Sequence, residues 1–352
     1  MRFRKTPVRF HRTPIRSGPS ILAAILLASL AWGLAACGGP GEGEAASGDE
    51  SAEASADAPA HVPSDAPWLV VLGVGQDGGF PQAGMKDEEA WNDPERRRLP
   101  VSLGIVDPVS GERWMVEATP SFPEQLHHLD RIAPHPDIPG LAGIILTHAH
   151  VGHYVGLIHL GREIIGASGV PVYAMPRMTR FLQTNGPWDQ LVELGNIELR
   201  ALEEGVPVAL NPRIRVTPLT VPHRDEYSET VGLVIEGPER SVLFLPDIDK
   251  WEEWDALGTR VEDVVARVDV AYLGGTFFAD GEIPGRSMAE IPHPFVEESM
   301  ERFGALPAEE RAKIRFIHLN RTNPVGWRGT SEWEAVHGAG FGVAVRGERV
   351  GL

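Results

Sequence analysis

The amino-acid sequence predicts an α/β sandwich, in which two mixed β-sheets pack face to face and helices cover their outer faces. Apolar runs of strand length alternate with helical segments along residues 68–352. Short turn sequences join neighbouring strands as hairpins in both halves of this stretch, which indicates mixed rather than purely parallel sheets. No shift in composition divides these residues, and we therefore expect one domain.

The first half begins with the apolar run Trp68–Leu72, which has the length and β-branched content of a strand. Val101–Asp107 and Arg113–Glu117 are predicted as strands paired across a Pro-Val-Ser-Gly turn. Ser121 opens the capping-box pattern S-F-P-E, which predicts a helix to about Ile132. The other predicted elements of this half are the strand Gly143–Leu146, a helix around Tyr154–Ile165, the strand Val170–Ala174 and a helix after Pro176.

The second half repeats the same kinds of element. Its predicted strands are Ile214–Pro218, Thr230–Glu236, Ser241–Leu245, Val268–Leu273 and Ile314–Leu319, and its predicted helix is Pro294–Phe303. The chain closes on Gly342–Val345 and Arg349–Leu352, which flank Arg-Gly-Glu and predict a hairpin-like end.

Residues 1–36 are predicted to be a bacterial lipoprotein signal peptide. They carry six basic residues and no acid, and they include the apolar run Ile21–Leu34, which is too short for a comfortable membrane span. The run leads into Leu-Ala-Ala-Cys37, which resembles a lipoprotein processing box. Cys37 is the single cysteine of the chain, so we expect it to carry a lipid. An uncleaved anchor is the alternative, and both place the domain outside the cytoplasm.

Residues 37–67 are predicted to be a disordered acidic linker, because Gly, Ala, Ser and acidic residues cannot bury enough apolar surface to order the chain. Gly38 follows the cysteine where aspartate is associated with inner-membrane retention, so the resemblance implies the outer membrane, with the domain facing the periplasm. The formal net charge of the whole chain is −17, and such a surface repels nucleic acid.

A glycine-rich loop follows the first predicted strand. Residues Gly73–Gly78 match G-x-G-x-x-G formally, but the dinucleotide interpretation requires a helix to start there. Pro81 argues against that helix. The alternative is a loop at a strand end that brings its backbone and Asp77 close to a pocket.

Three histidines lie within six residues in the segment T-H-A-H-V-G-H. His148 and His150 are two apart in an extended loop, so both imidazoles point to one side and can reach one ion. His153 follows where the chain turns into a helix, and it can face a neighbouring position. This spacing predicts a metal site, and a polar loop with incidental histidines is the alternative.

Other polar side chains follow predicted strands elsewhere. His223, Asp247 and His318 each lie at or just after an apolar run. They supply imidazole and carboxylate from separate elements, and this donor set suits zinc, iron or manganese. We therefore expect these three residues and the histidine loop to converge at one end of the sheets.

This arrangement resembles the metallo-β-lactamase superfamily, whose motif is H-x-H-x-D-H followed by a histidine, an aspartate and a final histidine. The resemblance spans residues 68–352 and implies a four-layer αββα sandwich. The segments Gly75–Gly84, Gly274–Phe278 and Phe316–Pro324 are similar to the branch that contains coenzyme PQQ synthesis protein B.

The resemblance also implies roles for individual residues. His148, His150 and His223 would hold a first zinc ion, Asp247 would bridge, and His153 and His318 would hold a second ion. Zinc lowers the pKa of a bound water toward ~7, which makes hydroxide available for hydrolysis. His293 lies in a region where some members of the superfamily have a proton-donating histidine, and an exposed loop histidine is the alternative.

Gly152 departs from the motif, because the superfamily has an aspartate at this position. Three outcomes are open: a single metal, a replacement carboxylate, or a two-histidine-one-carboxylate site suited to Fe²⁺. Asp77 is the first candidate for the replacement, with a catalytic role, and Asp249 is the second.

The sequence thus predicts a membrane-tethered metal-dependent hydrolase of a small-molecule ester, lactone, amide or phosphodiester. Two alternatives stay open. One is an iron-dependent oxidoreductase like the PQQ synthesis branch. The other is a non-catalytic lipoprotein that binds a small molecule at an altered metal site.

Overall fold

The computed structural model describes residues 65–285, 287–288 and 290–352. Its strands are β1 (Trp68–Gly73), β2 (Ser102–Val106), β3 (Arg113–Val116), β4 (Gly143–Ile145), β5 (Val170–Ala174), β6 (Ile197–Ala201), β7 (Val208–Ala209), β8 (Arg215–Thr220), β9 (Val231–Glu236), β10 (Ser241–Leu245), β11 (Val270–Gly274), β12 (Ile314–Ile317), β13 (Gly342–Val343) and β14 (Arg349–Gly351). Its α-helices are α1 (Phe122–Ile132), α2 (Val151–Tyr154), α3 (Pro176–Thr184), α4 (Trp188–Glu193), α5 (Trp251–Ala256), α6 (Val261–Val265), α7 (Val296–Phe303), α8 (Ala308–Arg311) and α9 (Ser331–Gly338). Short 3₁₀ helices span Glu89–Trp91, Pro94–Arg96, Val155–Leu160 and Pro324–Gly326.

The strands in the described part of the chain form two seven-stranded sheets of similar design. The first has the order β14-β1-β2-β3-β4-β5-β6 and the second β13-β12-β11-β10-β9-β8-β7. In the first sheet β14 to β3 pair antiparallel and β3 to β6 pair parallel. In the second sheet β13 to β10 pair parallel and β10 to β7 pair antiparallel. Both sheets are therefore mixed, as predicted.

The two sheets pack on each other through alternate residues of their strands. Leu69 and Val71 of β1 belong to a central apolar cluster that also contains Leu233 of β9 and Phe244 of β10. Val70 lies on the opposite face of β1, in a cluster shared with α1, α3 and α4. A third cluster joins the outer face of the second sheet to α5, α6, α7 and α9. Side chains alternate between the two faces of a strand, and a strand covered on both faces is a continuous apolar run, such as W-L-V-V-L. The layers are helix, sheet, sheet and helix.

The end of the chain differs from the prediction of a hairpin. β13 pairs parallel with β12 in the second sheet, whereas β14 pairs antiparallel with β1 in the first sheet. The connecting turn is held by β1 itself, because Val71 donates to the Glu348 carbonyl and Gly347 donates to the Val71 carbonyl. The turn therefore crosses from one sheet to the other.

The helix after Ser121 spans Phe122–Ile132 as predicted, but Ser121 makes no side-chain capping bond, and its N–H donates to Thr119 Oγ1. Two other predicted helices begin or end differently. The helix predicted around Tyr154–Ile165 begins at Val151 as one α-helical turn and continues as 3₁₀ helix to Leu160. The helix predicted from Pro294 begins at Val296.

The topology brings several strand ends to one edge of the molecule. β3 and β4 are parallel neighbours, and so are β10, β11 and β12. β8 runs in the same direction as β10, because each is antiparallel to β9. The residues that follow these strands are expected at their carboxyl ends, where ligands bind in open α/β sheets.

The predicted signal peptide, Cys37 and almost all of the predicted linker lie outside the described residues. None of the helices in the described part is long and apolar enough to cross a membrane.

Candidate metal centre

Seven side chains come together at the carboxyl ends of β4, β8, β10 and β12 and on the loop before α7. This histidine cluster consists of His148, His150, His153, His223, Asp247, His293 and His318. Six of them are buried, and His150 is partly exposed. All six metal ligands predicted from the sequence therefore lie in one place, together with His293.

Three groups within the cluster have donor atoms close enough to hold a metal ion. Within each group the ligand atoms lie within 4.8 Å of one another: His148, His150 and His223; His148, His153 and Asp247; His223, Asp247 and His293. The first group is the one that the resemblance implies for a first ion. His318 is in none of the three groups, but it contacts the cluster through its Nε2, which lies 3.3 Å from Asp247 Oδ2.

Asp247 lies at the centre of the cluster. Its Oδ2 is 3.0 Å from His153 Nε2 and 3.7 Å from His148 Nε2, and its Oδ1 is 3.9 Å from His223 Nε2. A carboxylate between two groups of imidazoles is placed to contact two cations at once. This is the position that a bridging ligand requires.

Hydrogen bonds outside the cluster orient the imidazoles. His223 Nδ1 lies 2.9 Å from Asp249 Oδ1, and His318 Nδ1 lies 3.2 Å from Thr276 Oγ1. A ring nitrogen that donates its proton outward leaves the other nitrogen as a lone-pair donor toward the centre. Asp249 therefore positions His223 and does not occupy the space beside Gly152.

Glu117 orients both His148 and His153. Its carboxylate accepts from Thr147 Oγ1 at 2.5 Å and lies 3.2 Å from His153 Nδ1. Thr147 Oγ1 is in turn 2.9 Å from His148 Nδ1. Glu117 is fully buried and has φ of 71°, a left-handed backbone conformation that is uncommon for this residue. The sequence interpretation missed it, although it follows an apolar strand in W-M-V-E much as Asp247 follows L-F-L-P.

Burial favours neutral imidazoles at most positions of the cluster. It lowers the pKa of His150 and His293, holds the pKa of His148 well below its usual range, and lowers that of His318 to about 3. Asp247 stays ionised: burial would raise its pKa, but His318 and His153 hold it well below the usual range. Neutral imidazole and ionised carboxylate are the forms that bind metals.

His153 is the exception. Burial would lower its pKa, but Glu117 and Asp247 outweigh burial and raise the pKa to about 10. Two buried carboxylates thus favour a positive charge at this position, and a metal cation would compensate them as a proton does.

The residues fit a metal ion on two further grounds. His223 Nε2 and His318 Nε2 are buried and have no hydrogen-bond partner among the described residues. His148 Nε2 and His150 Nδ1 face each other at 2.9 Å, while their other ring nitrogens lie near Thr147 and Glu226. Nitrogen lone pairs that converge without protons between them are stabilised by a cation.

Gly152 lies against the glycine-rich loop. A Cβ at this position would come within 2.9 Å of Asp77 Cα and 3.1 Å of the Asp77 carbonyl oxygen. These contacts are with backbone, so no side chain fits at residue 152 unless the loop moves. Asp77 itself has φ of 45°. The space that an aspartate side chain would enter from residue 152 is thus filled by residue 77.

The loop is fixed on both sides by backbone hydrogen bonds. Gly75 donates to the Leu99 carbonyl, Gln76 donates to the Leu319 carbonyl, and Phe80 and Arg98 exchange two bonds of 2.7 and 2.8 Å. No dinucleotide-type helix follows Gly78. The alternative interpretation of the sequence, a glycine loop at a strand end, describes this geometry.

Asp77 carries its carboxyl group to the edge of the histidine cluster. Burial raises its pKa, and the negative charge of Asp247 raises it further, whereas His153 and His293 act in the opposite direction. Asp77 is not part of the three close donor groups. His293 belongs to one of them, with Nδ1 3.7 Å from Asp247 Oδ1 and 3.2 Å from the Ile248 carbonyl oxygen.

Comparison with known proteins agrees with the fold. A family model described as the β-lactamase superfamily domain matches residues 106–318, more than half of the chain. The chain belongs to the metallo-β-lactamase superfamily. Coenzyme PQQ synthesis protein B of Xanthomonas axonopodis pv. citri (strain 306) is 25% identical over 311 residues, which cover 81% of this chain and 99% of that protein.

Two solved structures show the same fold. Zn²⁺-bound PqqB from Methylobacterium extorquens has a TM-score of 0.66 and 22% identity, covering 81% of this chain and 100% of that chain. A diphosphatase from the PhnP family has a TM-score of 0.55 and 20% identity, covering 81% and 97%. The predicted superfamily fold and the similarity to the PQQ synthesis branch are confirmed.

Proposed function

We propose that this protein is a metal-dependent hydrolase that cleaves an ester, lactone, amide or phosphodiester bond in a small molecule. The observation that carries the proposal is the convergence of seven buried or partly buried donor side chains, in which the Nε2 atoms of His223 and His318 have no hydrogen-bond partner among the described residues. Zinc held by imidazoles acts as a Lewis acid and lowers the pKa of a coordinated water toward ~7, which supplies a nucleophile at neutral pH. The zinc-bound relative and the diphosphatase of the same fold are consistent with this chemistry.

The proposed division of roles follows the donor groups. His148, His150 and His223 would hold one ion, His153 and His318 would hold a second, and Asp247 would supply its carboxylate to this site. Asp77 accepts a proton from the attacking water, because its carboxyl group replaces the one that Gly152 lacks. His293 donates its Nδ1 proton to the Ile248 carbonyl, so its Nε2 would first take up a proton released by the attacking water and then deliver it to the leaving group.

Alanine variants of the first group test the proposal directly. H148A and H223A are expected to lose zinc affinity by more than about 100-fold and to lose hydrolysis, because each removes a ligand that has no substitute. Zinc content, circular dichroism and turnover of ester and phosphodiester substrates would be compared with those of H127A, which removes an exposed histidine. Full zinc content in both cluster variants would overturn the assignment.

An iron-dependent oxidoreductase is the second candidate. His153, His318 and Asp247 are a two-histidine-one-carboxylate set, which suits Fe²⁺. The similar protein from Xanthomonas axonopodis is a coenzyme PQQ synthesis protein. Iron content with substrate-dependent oxygen consumption would favour this candidate over hydrolysis. A protein that binds metal and small molecules but turns over neither kind of substrate would be the non-catalytic alternative.

We further propose that the protein is lipidated at Cys37 and faces the periplasm from the outer membrane. The support is the sequence alone: a basic segment, a short apolar run and a cysteine after Leu-Ala-Ala. Mass spectrometry of the mature N-terminus and membrane fractionation of C37S test this. Wild type is expected in the membrane fraction, and equal release of both proteins would contradict the tether.

A further inference from the structure

A cleft on the far side of the glycine-rich loop is lined by four arginines and one acid. The arginines are Arg97, Arg98, Arg328 and Arg346, the acid is Glu95, and the cleft volume is about 250 Å³. This gathering of positive charge is unexpected in a chain with a formal net charge of −17. None of the residues of the histidine cluster lines it.

Arg98 lies in this cleft without a compensating acid. Its guanidinium carbon is 3.7 Å from the centre of the Trp327 ring, and burial lowers its pKa to about 10. Neither a hydrogen bond nor an ion pair satisfies the guanidinium within the part of the chain that the structure describes. A partly buried guanidinium has five donors and pays a desolvation cost that an anion would offset.

The Arg98 guanidinium contacts the chain at Gly326 and Trp327. A Cβ at Gly326 would overlap Arg98 Nη1, so the guanidinium passes close to the chain at this glycine. Trp327 stacks on the guanidinium, and Phe80 packs edge-on against Trp327 at 5.7 Å between ring centres. These contacts favour the observed position of the guanidinium.

Two neighbouring arginines leave further donors available. Arg97 makes a forked ion pair with Glu124, at 2.9 and 3.2 Å, but its Nε is buried without a partner among the described residues. Arg346 is exposed at the rim, and burial of part of its side chain lowers its pKa. The donors thus come from two chain segments, before β2 and after β13.

We propose that this cleft is a binding site for a phosphate group, as inorganic phosphate or as a phosphorylated small molecule, separate from the histidine cluster. Several guanidinium forks match the charge and the multiple acceptor oxygens of phosphate better than a single carboxylate. The volume lies just below the range of drug-sized ligand sites, which fits a small oxyanion. A ligand there would also contact the segment that fixes the Asp77 loop, because Arg98 pairs with Phe80 through its backbone.

Calorimetric titration of the full-length protein with inorganic phosphate and pyrophosphate, in chloride buffer after metal removal, tests this site. R98Q is expected to weaken binding by about ten-fold or more, and R346Q by a smaller factor, because charge-assisted bonds are lost. R180Q removes one exposed arginine from α3 and should bind like wild type. H148A should also bind like wild type, which separates this site from the proposed hydrolase centre.

Absence of saturable binding in the wild type, or equal affinity in wild type, R98Q and R346Q, would overturn the proposal. Loss of binding in H148A alone would assign the phosphate to the histidine cluster and would also overturn it. Circular dichroism and thermal unfolding establish that each variant is folded. If R98Q does not fold, R346Q and R98K are compared with the wild type instead. R98K keeps the positive charge but loses the paired N–H donors of the guanidinium.

Discussion

His148, His150 and His223 form one half of the histidine cluster, and His153, His318 and Asp247 form the other. In the first half the ring protons are directed outward to Thr147, Glu226 and Asp249. In the second half two carboxylates, Glu117 and Asp247, contact His153 directly. The first half reaches solvent through His150, whose side chain is 18% exposed, whereas the His153 and His318 side chains are 1% exposed.

The difference indicates two kinds of binding position. The first half offers three ring nitrogens and an opening, so a substrate would reach the cluster through this half. The second half is closed and carries negative charge before any cation binds, so it is favourable for a cation but slow to exchange one. Three changes to the chain test this difference, and a fourth, in an ion-pair network outside the cluster, should affect stability alone.

Glu117→Gln should have the largest effect, and it should be greater in the second half, because Glu117 contacts His153 directly and His148 only through Thr147. The buried carboxylate is replaced by an amide of the same shape, which removes one of the two negative charges that contact His153. We expect a loss of about 3 kcal/mol in the free energy of unfolding, measured with urea. Zinc titration should show the weaker of two affinities falling by about 10- to 100-fold.

The matched variant D249N removes the carboxylate that hydrogen-bonds His223 Nδ1, and it should lower the zinc affinity of the first half instead. Equal effects of both variants on both positions would show that the halves do not differ.

Asp77→Asn tests the role of the loop beside the second half. The loop should keep its conformation, because backbone bonds fix it, so the unfolding transition should be unchanged. We expect kcat to fall by about 100-fold with KM little altered, because a proton acceptor is lost. An unchanged kcat would remove Asp77 from the proposed mechanism, whatever the metal content.

Gly152→Ala tests the steric exclusion between residue 152 and the loop. The added Cβ would meet the Asp77 backbone, and displacement of the loop should cost about 1–3 kcal/mol of stability. The second zinc should also bind less tightly. Gly338→Ala in α9 is the control, because a Cβ there meets nothing within 4 Å. If G152A is as stable as G338A, the loop does not exclude a side chain at residue 152.

An ion-pair network far from the cluster should affect stability alone. Arg302 makes forked bonds to Asp255 and Glu262. Burial would raise the pKa of Glu262, but Arg302 lowers it below its ordinary value of 4.5. The stabilisation is therefore present above pH 4.5 and is lost as the pH falls through the lowered pKa. R302Q should lose about 1 kcal/mol at pH 7, with the difference from wild type shrinking below pH 4.5, and zinc content should not change. A constant difference from pH 7 to pH 3 would contradict the ion-pair explanation.

Much of the fold and the site follows from local patterns in the sequence. The apolar runs at Trp68–Leu72 and Ser241–Leu245 have the composition of buried strands, and both form strands. His148 and His150 have a spacing that places both rings on one side of an extended loop, and they contact each other in the structure. Polar residues after buried strands converge because parallel strands share one edge.

The features that escaped prediction depend on contacts between distant segments. Arg-Gly-Glu is a turn sequence whether the chain returns to the same sheet or crosses to the other sheet. The hydrogen bonds between this turn and β1 determine that the chain crosses. Glu117 has a left-handed backbone conformation, which no local sequence pattern predicts. The collision between residue 152 and Asp77 joins segments 75 residues apart, which no spacing rule connects.

The most direct test of the account is elemental analysis of the protein purified without chelator or added metal, in wild-type and H148A forms. The account predicts one or two equivalents of zinc in the wild type, and a loss of the first-half zinc in H148A. Iron in place of zinc would contradict hydrolysis and favour the oxidative candidate. Absence of metal, even after incubation with zinc and with Fe²⁺, would contradict the central claim that the histidine cluster is a metal centre.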